Sequence, residues 1–191
     1  MDTREYIASY LDQTAEIAKG IDKDSAAKMV DILSEIKAKK GRVFFVGVGG
    51  GAGTGSHSAN DFNKIAGIHT ICLTDNASLL TALTNDEGWE SVFKRQLEMQ
   101  NLSGNDCLFI YSVGGGTETL SSNLVLAINL AKERGAKILG VVGKATGVTA
   151  KEADACVIVP CPDPSRITPH TEDFQMVIDH LLANALCQIS K

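Results

Sequence analysis

Two pairs of side chains in this sequence could move protons or bind a metal ion: His57 and Asp61 in SHSAND, and Glu172 and His180 in TEDFQMVIDH. At about 100° per residue, a separation of four leaves His57 and Asp61 roughly 40° apart around a helix, and a separation of eight leaves Glu172 and His180 roughly 80° apart. Each pair therefore shares nearly one helical face. Imidazole and carboxylate are the groups that exchange protons near neutral pH and that bind zinc-like metals. Two helices lying side by side would converge all four on one polar site. The same spacings also serve local hydrogen bonds on a solvated helix face.

The elements that must position these groups read as helices alternating with short apolar strands. Two helical patterns run from Thr3 to about Lys39, broken near Gly20 to Asp24, and form a helical hairpin over residues 1–40. Five continuous apolar runs follow: RVFFVG (42–47), HTICLTD (69–75), DCLFIYSV (106–113), AKILGVVG (136–143) and ACVIVPC (155–161), separated by helix-length segments. Such runs with helical crossovers predict an α/β fold with a five-stranded parallel sheet buried on both faces. PCPDPSRITPH (160–170) is a loop whose prolines stop the fifth strand, and a final helix runs from about Thr168 to Ile189 carrying Glu172 and His180.

Three loops follow strands or lead into helices. GVGGGAGTGSH (47–57) combines glycines, which permit close backbone approach, with a helix start whose amides suit an anion. Gly47, Gly49 and Ala52 make a loose dinucleotide fingerprint, with Asp75 at the end of the second strand as a conceivable ribose-binding acid, although the usual ~20-residue spacing of that acid is not met. SVGGGTET (112–119) repeats the arrangement, with Ser112 and Thr117 as hydroxyl donors and a helix expected to open near Thr117. Two such loops on one parallel sheet point to a ligand at the carboxyl ends of the strands. A bare set of tight turns with Thr117 as a helix cap is the plainer alternative. TNDEGWESVF (84–93) reads as a polar turn with Asn85 and Asp86, entering a helix that buries Trp89 and Phe93.

Composition narrows the function. At 191 residues, 44% hydrophobic and 21% charged, the chain suits one domain (1–191) with a proper core. A net charge of −5, with only the short cluster Lys37, Lys39, Lys40 and Arg42, argues against nucleic acid as a main ligand, and that cluster is expected to end a helix. The five cysteines, Cys72, Cys107, Cys156, Cys161 and Cys187, have no metal-type spacing and suit free thiols in a reducing compartment. The amino terminus lacks a basic-then-apolar leader pattern and no run approaches ~18–20 apolar residues. A cytoplasmic protein without membrane contact is the expectation.

The order of these parts resembles the sugar isomerase (SIS) fold and, within it, the phosphoheptose isomerases, over nearly the whole chain. In that family the first loop reads GNGGS and is followed by a His-x3-Glu pair. With Gly47 as its first glycine, His57 falls on the family histidine and Asp61 on its catalytic glutamate. The family's Gln-x7-His on the final helix is matched by Glu172-x7-His180. Departures are Val48 for Asn, Gly51 for Ser, and SVGGGT for the hydroxyl-rich phosphate loop STSGNS, with Val113 and Gly114 where Thr and Ser stand.

The resemblance implies a three-layer α-β-α sandwich (41–191) behind the hairpin, and an aldose-ketose isomerase acting on a sugar phosphate, most simply sedoheptulose 7-phosphate, through an enediol. It implies Asp61 as base and His180 as acid. Gly49, Gly50, Gly51, Asn85, Asp86, Ser112, Gly114, Gly115, Thr117 and Glu172 would hold the substrate. A divalent metal, zinc first, on His57, Asp61, Glu172 and His180 is implied as well, with no nucleotide cofactor. So is a homotetramer with its site between subunits. The rival classes are a non-catalytic sugar-phosphate-binding or regulatory SIS protein, in which Asp61 is dispensable for binding, and an NAD-dependent enzyme, which would bind nicotinamide cofactor.

Overall fold

The structure, a computed structural model, describes residues 2–189. Its five strands are β1 (Arg42–Gly47), β2 (His69–Cys72), β3 (Cys107–Ser112), β4 (Lys137–Val142) and β5 (Ala155–Ile158). They form one sheet in the order β2-β1-β3-β4-β5, every pair parallel. The helices are α1 (Thr3–Gly20), α2 (Lys23–Ala38), α3 (Gly50–Asp61), α4 (Ala77–Glu87), α5 (Val92–Met99), α6 (Ser122–Glu133), α7 (Val148–Glu152) and α8 (Ile167–Ile189).

Strand residues alternate between two cores because successive side chains point to opposite faces. Val43, Phe45, Phe109, Tyr111, Leu139 and Val141 pack with Ile17 of α1, with α2 and with Phe174, Ile178 and Leu182 of α8. Phe44, Val46, Leu108, Ile110 and Ile138 pack with Phe93 and Leu97 of α5 and with Leu124, Ala127 and Ile128 of α6. The three-layer α/β architecture expected from the continuous apolar runs is therefore present. Strand ends fell short of the apolar runs: β2 stops at Cys72, leaving Asp75 in the following turn, and β5 stops at Ile158.

At the amino end, α1 and α2 are joined by Ile21 and Asp22, and the Asp22 carboxylate accepts from the amides of Asp24 and Ser25 to cap α2. Polar side chains fasten α1 to the start of α8. The Tyr10 hydroxyl donates to Asp173 at 2.7 Å, and Arg166 donates to Gln13 at 3.1 Å while its guanidinium lies 4.6 Å from the Tyr6 ring centre.

The basic cluster divides between two elements. Lys37 is in the last turn of α2, whereas Arg42 opens β1 and pairs with Asp106 just before β3. Asp106 is almost wholly buried and accepts from the Arg42 amide, Nε and guanidinium and from the Ser103 amide and hydroxyl, at 2.8–3.1 Å. Burial alone would raise its pKa, but these five donors outweigh it and hold the carboxyl below its ordinary 3.8. A depressed folded-state pKa gives stability in full above pH 3.8 that is lost as pH falls through the native value. Asp106→Asn is expected to cost about 3 kcal/mol at neutral pH and to flatten the acid limb of the stability profile. Urea titrations at pH 7 and pH 3 check this, and an unchanged pH dependence would refute the assignment.

Candidate active site at the junction of α3 and α8

The strand order places the switch point between β1 and β3, because β1 is followed by α3 on one face of the sheet and β3 by α6 on the other. A cavity of about 210 Å³ opens there, lined by Val48, Gly51, Ser112, Gly114, Ser121 and Glu172 among others. The glycine loop rises straight from the sheet: Gly49 has φ 62° and precedes α3, whose start has no side-chain cap. Gly50 leaves the room that the Glu172 carboxyl fills, since a Cβ at Gly50 would lie 2.3 Å from Glu172 Cδ. Opposite, the Ser112 hydroxyl accepts from the Gly115 amide at 3.0 Å, and Gly115 and Gly116 take φ 73° and 80° to turn the loop.

A second polar group lies two turns further along the same two helices. His57 Nε2 and His180 Nε2 are 3.0 Å apart, and Asp61 Oδ2 lies 3.4 Å from the first and 3.6 Å from the second. The other Asp61 oxygen accepts from Asn60 Nδ2 at 2.9 Å, which holds the carboxylate. Asp61 is nearly buried while both imidazoles are about half exposed. Asp61 is also the last α-helical residue, and Phe62–Ala66 continues as a π turn, a break that recurs at functional sites.

Beneath this group sits Asp179, fully buried, with neither carboxylate oxygen hydrogen-bonded among the described residues. Burial pushes its pKa up from the ordinary 3.8, opposed by the nearby Ser58 hydroxyl. Ser58 instead bonds the Thr54 carbonyl at 2.9 Å and the Tyr111 hydroxyl at 3.0 Å. Burial, with Asp179 beside it, drives the Tyr111 hydroxyl well above its usual 10. One donor atom from each of His57, Asp61, Asp179 and His180 can be chosen so that all four lie within 4.8 Å of one another, and this group could hold a divalent metal ion. The donors fit such an ion: two imidazoles, two carboxylates, and a buried acid with its oxygens unused.

His57, Asp61 and His180 thus converge as their spacing implied, but Glu172 does not join them. Azimuth around the helix is only one part of the separation between Glu172 and His180. Eight residues also advance about 12 Å along the axis, so Glu172 shares a side with His180 and reaches the glycine cavity instead of the metal group. Asp179 takes its place, and one signal could have revealed it: an acid at 179 sits between Gln175, Ile178, Leu182 and Leu186, on the buried stripe of α8.

Two further positions differ from expectation. Thr117 does not open α6, which begins at Ser122; its hydroxyl accepts from the Leu120 amide at 3.0 Å within the loop. Asn85 and Asp86 belong to the last turn of α4 and bond each other at 2.8 Å, with the turn at Gly88 where φ is 88°. Phe93 is buried as expected, but Trp89 is 41% exposed because only a single short 3-10 turn carries it.

Comparison with known proteins agrees with this architecture. Residues 5–143 match the SIS domain family. The phosphoheptose isomerase of Campylobacter jejuni subsp. jejuni serotype O:6 is 34% identical over 182 residues, covering 93% of this chain and 89% of the relative. In fold, the chain matches a phosphoheptose isomerase structure from Francisella tularensis with a TM-score of 0.86 at 18% identity, covering 98% of this chain and 100% of that one. It matches phosphoheptose isomerase GmhA from Neisseria gonorrhoeae with 0.84 at 22%, covering 97% and 99%. The chain belongs to the SIS domain family. Within that family it is phosphoheptose isomerase-like over nearly its whole length.

The glycines at the start of α3 make a testable contrast. A Cβ at Gly51 would sit 2.6 Å from the Tyr111 carbonyl oxygen, which is rigid strand backbone, whereas at Gly50 it meets only the end of the Glu172 side chain. Gly51→Ala should cost about 2 kcal/mol. Gly50→Ala should change stability by less than about 1 kcal/mol, since the gain in helix propensity offsets the displaced side chain. Equal costs in urea denaturation would show that α3 is not seated this closely.

Proposed function

We propose that this protein is a sugar-phosphate isomerase that interconverts sedoheptulose 7-phosphate and D-glycero-D-manno-heptose 7-phosphate through an enediol. The observation that carries the reading is the meeting of Asp61 with His57 and His180, beside a cavity at the carboxyl ends of β1 and β3. Isomerisation moves a proton between neighbouring carbons and another between their oxygens, so it needs a base and an acid on adjacent positions of the substrate.

Asp61 is the base. Its Oδ1 is held by Asn60, leaving Oδ2 on the imidazole side to take the carbon-bound proton. As that C–H bond breaks, its electrons form the enediol double bond and the carbonyl π electrons move to oxygen, which takes a proton from His180. Asp61 then returns its proton to the neighbouring carbon while the other oxygen gives its proton to the now neutral His180, the O–H electrons forming the new carbonyl and the enediol π electrons taking up the proton at carbon. The open face of His180 makes it accessible to substrate.

The substrate's remaining length is assigned to the cavity, with Gly49, Gly50, Gly51, Ser112, Gly114, Gly115 and Thr117 offering backbone and hydroxyl groups and Glu172 accepting from sugar hydroxyls. Asn85 and Asp86 stay in this set on the strength of the family resemblance alone. The donor set of His57, Asp61, Asp179 and His180 would take zinc, which would supply positive charge to polarise a carbonyl oxygen; with the ion bound, Asp61 and His180 would serve as its ligands and not as the free proton-transfer pair.

The working form is proposed to be a cytoplasmic homotetramer with the site between subunits. Tyr6, Ile7 and Leu11 of α1 and Val177 and Leu181 of α8 are about half exposed in the single chain, an apolar surface that assembly would cover. Among the described residues no helix is long and apolar enough to cross a membrane.

The test is turnover of sedoheptulose 7-phosphate in heavy water, followed by NMR. Wild type is expected to incorporate deuterium at C2, and Asp61→Ala and His180→Ala to lose about 10²- to 10⁴-fold in kcat. Binding without turnover by wild type would favour the non-catalytic sugar-phosphate-binding protein instead, and a monomer by light scattering at micromolar concentration would remove the tetramer.

A further inference from the structure

We infer that Gln175 is a substrate-binding, specificity-determining residue whose side-chain carbonyl accepts a hydrogen bond from a sugar hydroxyl in the cavity at the carboxyl ends of β1 and β3. Gln175 follows Glu172 by three residues on α8, so the two share one side of the helix, and both line the cavity of about 210 Å³. Gln175 is fully buried. The sheet fixes which way round its amide lies. Nε2 is 3.2 Å from the Val141 carbonyl of β4, and a carbonyl can only accept, so the nitrogen faces the strand and Oε1 is the polar atom left over. That oxygen is buried without a hydrogen-bond partner among the described residues.

An acceptor withdrawn from water and left unpaired is destabilising, and such groups are few enough in native folds that each calls for a reason. The reason here lies in the rest of the cavity wall. Among the described residues that line it there is no lysine, arginine or histidine; the other polar side chains are Glu172, Ser112 and Ser121. An ionised Glu172 can only accept, so α8 presents two acceptors in successive turns and no cation. Such a wall suits groups that bring hydrogens to donate, as sugar hydroxyls do. A hydroxyl donating to Oε1 satisfies Gln175, whereas a CH₂ in its place would leave the oxygen unpaired, and a site built this way rejects the analogue lacking the hydroxyl. Because β4 already holds the amide, no side chain has to be ordered when the sugar arrives.

The inference deepens the isomerase reading above and rests on it for the identity of the sugar. Wild type and Gln175→Met, which is of similar length but has no carbonyl, are compared on sedoheptulose 7-phosphate and on its C3, C4, C5 and C6 deoxy analogues, by kcat/KM and by calorimetric affinity. Gln175→Met is expected to lose about 10-fold in both on the parent sugar, the worth of one neutral hydrogen bond. Wild type is expected to lose at least as much on one analogue, and on that analogue the substitution makes no further difference. A role confined to packing or to the Val141 hydrogen bond would lower parent and analogues alike, and that result, or a variant equal to wild type on the parent sugar, overturns the inference. Should Gln175→Met fail to fold, a crystal structure of wild type with the sugar takes its place: a sugar oxygen within about 3.2 Å of Oε1 supports the inference, and a water or no partner there overturns it. Turnover by wild type that Gln175→Met leaves unchanged removes Gln175 and keeps the isomerase. Binding without turnover removes the isomerase, and Gln175 is then judged on affinity. A wild type that does not bind the sugar removes both.

Discussion

The constraint on which the rest of this molecule depends is the close seating of α3 on the sheet. The run from Gly47 to Gly55 brings helix backbone onto strand backbone: a Cβ at Gly47 would meet the Gly51 carbonyl carbon at 2.4 Å, and one at Gly51 the Tyr111 carbonyl oxygen at 2.6 Å. Side chains at these points would lift the helix. Lifted, α3 could not leave the cavity at the ends of β1 and β3, and its second and third turns could not bring His57 and Asp61 against α8. The contact is steric and local, yet it sets the position of every polar group described above.

Three buried or nearly buried acids illustrate how environment divides one chemistry into separate roles. Asp106 lies among five donors and serves to join β1 to the approach of β3. Asp61 keeps one oxygen tied to Asn60 and turns the other to two imidazoles at the surface. Asp179, on the apolar side of α8, is left with unused oxygens against Ser58 and Tyr111. A satisfied acid stabilises, whereas a half-satisfied or unsatisfied one marks a place where a proton or an ion has work to do.

The cysteines fit a plain structural role. Cys72 and Cys107 are buried in β2 and β3, and burial raises the Cys72 thiol above its ordinary 9 and the Cys107 thiol far above it; Cys156, less enclosed, is pushed up to about 12. A raised pKa disfavours the nucleophilic thiolate at these three positions.

Much of the fold was legible in the chain because its signals are local. Continuous apolar runs of strand length, crossovers of helix length and glycines between them define a parallel sheet whatever the remaining contacts are. His57 and Asp61 were legible for the same reason: a spacing of four on one helix is a contact in itself, at 3.4 Å. What tertiary structure alone decided was the choice among residues that share a face. Glu172 and Asp179 both lie on α8 near His180, and only the axial level at which α3 crosses that helix puts one carboxyl over Gly50 and the other beneath the imidazoles. Thr117, Asn85 and Asp86 were misplaced for a related reason, since positive-φ residues such as Gly88, Gly116 and Ser121 moved the helix ends. A sequence specifies the period and polarity of each element, but the depth to which one element packs against another is set by side-chain volume on both, and the site lies at that contact.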